Sequence, residues 1–83
     1  MAIRFFHRPP CGLCREIEGP LLRYAAQYGL RVTAINIDQD SAAFKLYWDK
    51  IPVIEIDGQL TLYEPIPLTE LKAALKKASM KRD

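Results

Sequence analysis

Residues Phe6 to Arg15 read FHRPPCGLCR and hold both cysteines of the chain, Cys11 and Cys14, directly after the apolar run Ile3-Arg4-Phe5-Phe6. A pair so spaced has three chemical readings: a structural disulfide, half of a metal site, or a dithiol that opens and closes. The flanking residues choose among them. Ile3-Arg4-Phe5-Phe6 is short, aromatic and β-branched and runs into Pro9-Pro10, so it reads as a buried strand entering a loop. From Gly12 onward, Leu13, Ile17, Leu21, Tyr24, Ala25 and Tyr28 recur at helical spacing and the pattern stops at Gly29. A helix therefore begins on the cysteines. Gly19-Pro20 interrupts it, and since a proline inside a helix costs about 3 kcal/mol and removes a backbone hydrogen bond, a kink is expected there.

Beyond Gly29, Arg31-Val32-Thr33-Ala34-Ile35-Asn36-Ile37 alternates and is rich in β-branched residues, which predicts a second strand parallel to the first because a helix intervenes. Asp38-Gln39-Asp40-Ser41 offers capping oxygens for a short helix over Ala42 to Asp49, where Phe44, Tyr47 and Trp48 supply bulk for the core or its rim. Val53-Ile54-Glu55-Ile56 and Leu60-Thr61-Leu62-Tyr63 flank Asp57-Gly58-Gln59, and Asp-Gly between alternating runs is a strong hairpin signal. Pro65-Ile66-Pro67 reads as the turn into a last helix, with Leu71, Ala74, Leu75 and Ala78 as its apolar stripe. The predicted order is βαβαββα: an α/β fold of three layers, with a four-stranded mixed sheet flanked by helices.

A chain of 83 residues supplies side chains for one core, so residues 1–83 are expected to form a single domain. Apolar residues make up 49% and charged ones 27%, the balance of a folding globular chain rather than a disordered one. A formal charge of +2 is too small to argue for nucleic acid, and the basic tail Lys76, Lys77, Lys81 and Arg82 reads as a solvated helix end. No run approaches the roughly 20 apolar residues of a membrane span, and MAIRFFHRPP lacks the pattern of a secretory leader. The expected setting is the cytoplasm, without a membrane partner, and the expected state a monomer. There, disulfides are usually transient and functional, and a bridge closing so small a loop would constrain the unfolded chain little. The structural disulfide is set aside on these grounds.

At the start of a helix, unpaired backbone N–H groups and the positive end of the dipole favour an anion, and for Cys11 that anion is a thiolate, with Arg8 and Arg15 adding positive charge. Cys11 is thus the expected nucleophile. Cys14, three positions on and on the same helical face, is the expected resolving thiol of a redox-active disulfide. Pro52, after Ile51 and before a strand, is a candidate cis proline that brings its backbone beside the cysteines.

These residues together resemble the thioredoxin superfamily in its small, glutaredoxin-like form, over nearly the whole chain: strand, Cys-x-x-Cys at a helix start, proline within that helix, second strand, and Ile51-Pro52-Val53 before an antiparallel hairpin. The resemblance implies a dithiol-disulfide oxidoreductase of electron transport and cell redox homeostasis. In it Cys11 attacks, Cys14 resolves, and Ile51 with Pro52 holds an extended substrate through backbone hydrogen bonds. Arg8 stands where glutaredoxins often carry a lysine that contacts a glutathione carboxylate, which implies a substrate-binding role. The implied partners are disulfide-containing proteins, with glutathione or a thioredoxin reductase as electron donor; glutathione is a candidate co-substrate and no bound cofactor is expected. The chain departs from the glutaredoxin pattern in having Gly12-Leu13 for Pro-Tyr, and Leu62-Tyr63-Glu64-Pro65 where a Gly-Gly-Asp type segment is common. It departs from thioredoxin in having Pro10 where a tryptophan stands. The Cys-x-Leu-Cys form resembles bacterial glutaredoxin-like proteins with that active site, or small redoxins that take electrons from thioredoxin reductase.

His7 suggests a Cys-Cys-His metal site, but a tetrahedral zinc needs four ligands, so no metal is assigned and His7 is read as a strand-end residue. Tyr24, Tyr28, Phe44, Tyr47 and Trp48 are read as packing, and Asp38 and Asp40 as a helix cap. The alternative of another class is a module of the same fold that binds a metal or an iron-sulfur cluster through Cys11 and Cys14.

Overall fold

Alternation along the first strand decides how the layers stack. In the computed structural model, which describes residues 2–9 and 11–80, strand β1 spans Ala2–His7. Ile3 and Phe5 belong to one buried cluster and Phe6 to another, as expected where successive side chains point to opposite faces of a sheet. Pro10, Lys81 and Arg82 lie outside the described residues.

The remaining elements are α1 (Gly12–Gln27), β2 (Arg31–Asn36), a 3-10 turn over Ile37–Gln39, α2 (Ser41–Tyr47), β3 (Val53–Ile56), β4 (Leu60–Tyr63) and α3 (Leu68–Met80). The sheet order is β2-β1-β3-β4. β1 pairs in parallel with β2, from Ala2 opposite Arg31 to His7 opposite Asn36, and antiparallel with β3, from Ile3 opposite Ile56 to Phe6 opposite Val53. The βαβ unit and the four-stranded mixed sheet are therefore present as expected.

α1 and α3 cover one face of the sheet, where Ile17, Leu21, Ala25, Leu71 and Leu75 pack with Ile3, Phe5, Ile54 and Ile56. α2 covers part of the other, where Ala43 and Tyr47 pack with Phe6, Ile37 and Val53. At about 1.5 Å per residue, its 7 residues reach about 10 Å and leave the far end of that face polar. There Arg4 pairs across the strands with Glu55, which also accepts a hydrogen bond from the Tyr47 hydroxyl at 3.3 Å.

Local chemistry accounts for the boundaries. α1 runs unbroken through Pro20. It ends in a Schellman motif: the N–H of Gly29 donates to Ala26 O (3.2 Å) and that of Leu30 to Ala25 O (2.8 Å), with Gly29 at φ 67°, where a side chain would be strained. Asp57 (φ 54°) and Gly58 (φ 68°) form the left-handed pair that a type I′ hairpin turn demands, closed by the Gln59 N–H donating to Ile56 O at 3.0 Å.

Two expectations need correction. Asp40 caps α2, its Oδ1 accepting from the Ala43 N–H at 3.0 Å, but Asp38 does not: it sits in the 3-10 turn that follows β2 directly, and its N–H donates to the Asn36 side chain. Leu13, read as part of the core stripe, is 47% exposed. The inward stripe of α1 is Cys14, Ile17, Leu21 and Ala25, and Leu13 precedes Cys14 by the roughly 100° of one helical residue. Phe44 and Trp48 are also exposed, while Tyr47 alone of that aromatic group is buried. Tyr24 and Tyr28 are half-buried against the larger cluster.

Candidate functional site

A residue placed as the N-cap of a helix lies outside the spiral, with its side chain free to turn back on the first unpaired amides. Cys11 occupies that position in α1, with extended backbone angles (φ −134°, ψ 105°). Its Sγ accepts the backbone N–H of Cys14 at 3.1 Å, and its carbonyl accepts the Arg15 N–H at 3.2 Å. The sulfur thus takes the place a serine or aspartate oxygen would take in a capping interaction, at the end of the helix where negative charge is favoured. Cys11 is half-buried, and its own N–H donates to Pro9 O at 3.0 Å, which holds the loop from β1 against the helix start.

Cys14 has the opposite environment. It is 4% exposed and lies at the head of the inward stripe of α1. Its thiol is pushed from 9.0 up to about 12, first by burial, then by its hydrogen bond to Cys11 and by negative charge on that residue, with the backbone N–H groups of Arg8 and of Cys14 itself opposing the rise. Both cysteines are free thiols. The pair is therefore asymmetric: one sulfur half-buried with the Cys14 N–H donating to it, the other buried and protonated.

Ile51 and Pro52 are brought to the same end of the sheet. Val53 lies opposite Phe6, so Pro52 enters β3 beside the end of β1 from which the chain runs to Cys11. The Ile51–Pro52 bond is cis and the Pro52 side chain fully buried. Ile51 is half-buried and packs against both clusters, and Cys11 packs against the larger of them.

Arg8 is placed differently. Its Nε lies 2.9 Å from Asp38 Oδ1, an ion pair without the alignment of a directed hydrogen bond, and its guanidinium sits over the Phe44 ring at 5.4 Å. The head of Arg8 thus rests on the 3-10 turn and α2. His7 closes β1 with its ring stacked on Phe5, centroids 5.4 Å apart. Among the described residues no three His, Cys, Asp or Glu side chains converge as a metal set. Cys11 and Cys14 supply two thiolates, and a tetrahedral site would take its other ligands from outside this group.

One feature escaped the sequence reading. A groove of about 340 Å³ opens beside the first turn of α1, lined by Leu13, Glu16 and Ile17 and by Glu64 to Leu68 in the connection from β4 to α3. The signal was present in Leu13, which falls off the stripe of Cys14, Ile17 and Leu21 when the helix is phased on its deepest residues. The Glu64–Pro65 bond in its wall is cis.

Comparison with known proteins matches the profile of the glutaredoxin-like domain (DUF836) family over residues 2–76. Among solved structures, the solution structure of Northeast Structural Genomics target protein XcR50 from X. campestris is similar at 26% identity, with a TM-score of 0.73 over 93% of this chain and 95% of that one. Thioredoxin 1 from Thermosipho africanus superposes with a TM-score of 0.78 over 93% of this chain and 92% of its own, at 12% identity. Thioredoxin O2 from Arabidopsis thaliana, in its oxidised state, gives 0.74 over 92% of this chain and 72% of that one, at 21% identity. At such identities the thioredoxins speak for the fold alone, the thioredoxin-like α/β architecture.

Proposed function

The chain belongs to the glutaredoxin-like domain family, and from that premise we propose that it is a thiol-disulfide oxidoreductase in which Cys11 is the nucleophile and Cys14 the resolving thiol. The observation that carries this reading is the asymmetry of the pair: Cys11 Sγ caps α1 with the Cys14 N–H at 3.1 Å, while Cys14 is buried and keeps its proton.

The Cys11 thiolate attacks one sulfur of a substrate disulfide, forming a mixed disulfide and expelling the other substrate sulfur as a thiolate that takes up a proton. In that intermediate Cys11 carries no charge and no longer accepts a hydrogen bond from the Cys14 thiol, so two of the three causes that raise Cys14 vanish and burial alone remains. Cys14 then gives up its proton and attacks Cys11 Sγ. The second substrate thiol leaves, the Cys11–Cys14 disulfide forms, and the substrate has gained two electrons and two protons. Glutathione or a thioredoxin reductase returns the electrons.

Ile51 and Pro52 offer backbone to an extended substrate at the edge of the site. Arg8, on the loop before Cys11, is the candidate side-chain contact for substrate, with its head held by Asp38 and Phe44 until one binds. The chain acts as one cytoplasmic, monomeric domain over residues 1–83. Among the described residues no helix is long and apolar enough to cross a membrane.

The test is turnover of insulin and of a glutathione mixed disulfide by purified protein, fed in one arm by glutathione with its reductase and in the other by thioredoxin reductase. Turnover that is lost in Cys11→Ser, with a trapped mixed disulfide in Cys14→Ser, supports the reading. Protein that arrives with stoichiometric zinc or an iron-sulfur chromophore on the cysteines and reduces nothing sinks it in favour of a binding module.

A further inference from the structure

The groove beside the first turn of α1 has a chemistry of its own. Its floor and walls are apolar, from Leu13, Ile17, Pro65, Ile66 and Leu68, and its charges are the carboxylates of Glu16 and Glu64. Leu13 and Leu68 are 47% and 46% exposed, large apolar side chains left uncovered on either side of it. Neither glutamate is in an ion pair among the described residues, and no cation lines the groove. The positive charge nearest in sequence to Cys11, Arg8, is held over Phe44 by Asp38.

We propose that this groove docks an extended protein segment in which apolar and basic residues flank the disulfide to be reduced, and that it disfavours glutathione. The proposal rests on the dithiol reading above and names its substrate class. Leu13 follows Cys11 by a single intervening residue, so the groove opens beside the turn of α1 that Cys11 caps, within reach of a chain held at that sulfur. An extended segment advances about 3.3 Å per residue, so residues a few positions from its cysteine reach Glu16 and Glu64 while its leucine-like side chains cover Leu13 and Leu68. Glutathione is short, ends in carboxylates and carries net negative charge. It would leave the apolar walls exposed and set its carboxylates against two more. An exposed ion pair is worth a factor of about three, so two pairs give about tenfold in rate between a basic and an acidic segment.

The experiment uses peptides with one disulfide flanked by leucine and either arginine, glutamine or glutamate, reduced in a single turnover by the full chain, with glutathione disulfide alongside. In parallel, amide shifts of Leu13, Glu16, Ile66 and Leu68 are followed with versions of the peptides that carry serine for cysteine. The arginine peptide is expected to react about tenfold faster than the glutamate peptide and than glutathione disulfide at low salt, the ratio falling toward unity near 1 M salt, where charges are screened beyond about 3 Å. The double variant E16Q/E64Q brings the ratio within about twofold. Equal rates for all peptides, insensitive to salt, overturn the groove while leaving the oxidoreductase intact. Failure to reduce any disulfide, with the serine-arginine peptide still shifting those amides, overturns the oxidoreductase and leaves the groove. Shifts that follow protein concentration and ignore peptide mark a second copy as the occupant and overturn the proposal.

Discussion

Alkylation of Cys14 tests the asymmetry of the pair most directly. In Cys11→Ser, the charge and sulfur of Cys11 are gone and serine retains a capping oxygen, so of the causes that raise Cys14, burial, the first of them, is left, set against the backbone N–H groups of Arg8 and Cys14 that lower it. At about pH 8 a thiol of 9.0 is about one-tenth thiolate, and one at about 12 is about one part in ten thousand. Burial keeps the thiolate fraction below that of an ordinary exposed thiol, and an exposure of 4% slows the encounter further. Iodoacetamide should therefore modify Cys14 at least about tenfold more slowly in the folded variant than in the same protein unfolded in urea, read by intact mass. The folded rate should climb with pH past 9.0 without levelling. A plateau near 9.0, or a folded rate within about threefold of the unfolded one, would refute the buried resolving thiol. Linkage gives a second sign. Between 9.0 and about 12 the unfolded chain loses this proton and the folded one keeps it, so the unfolded state binds fewer protons and stability falls with rising pH. Wild type should lose ground to Cys14→Ala across that window and show no such trend below it.

Cys11→Ser and Cys11→Ala should both abolish disulfide reduction yet differ in urea unfolding: serine keeps the cap and alanine loses it, a gap of about 0.5–1 kcal/mol that equal midpoints would deny. Asp40→Ala removes the oxygen that accepts the Ala43 N–H and should cost about 1 kcal/mol in the same assay, with activity preserved at temperatures where the variant is folded. Leu75→Ala empties a fully buried position between α3 and the sheet and should cost about 2–5 kcal/mol in chemical denaturation; a loss under about 1 kcal/mol would mean that α3 is not seated as described.

What the sequence reading reached, it reached through local chemistry. Gly29 ended α1 and Asp57-Gly58 turned the hairpin because each needs a backbone conformation that few other residues adopt. What it missed is nonlocal. Asp38 was read by its neighbours as a cap, and only the packing of β1 beside β2 brings it to Arg8. The Arg4–Glu55 pair joins residues 51 apart and has no periodicity to announce it. The groove joins the first turn of α1 to the segment after β4, and its apolar members looked like core in one stretch and like a turn in the other. The cysteines were legible as a pair, and their inequality rests on where the helix begins.

That starting point links the motif to its partner. A helix that begins one residue after Cys11 leaves that cysteine outside the spiral as the cap and carries Cys14 round onto the inward stripe, so one spacing yields one reachable sulfur and one buried one. The two residues between them must then face outward. A side chain at Gly12 would meet nothing within 4 Å, and Leu13 is half exposed at the lip of the groove. The intervening dipeptide contributes little to the core and lies on the open side of the first turn, beside the proposed docking groove. If the groove receives substrate as proposed, exchanging Leu13 for a charged residue should alter which disulfides are reduced well before it alters whether the protein folds.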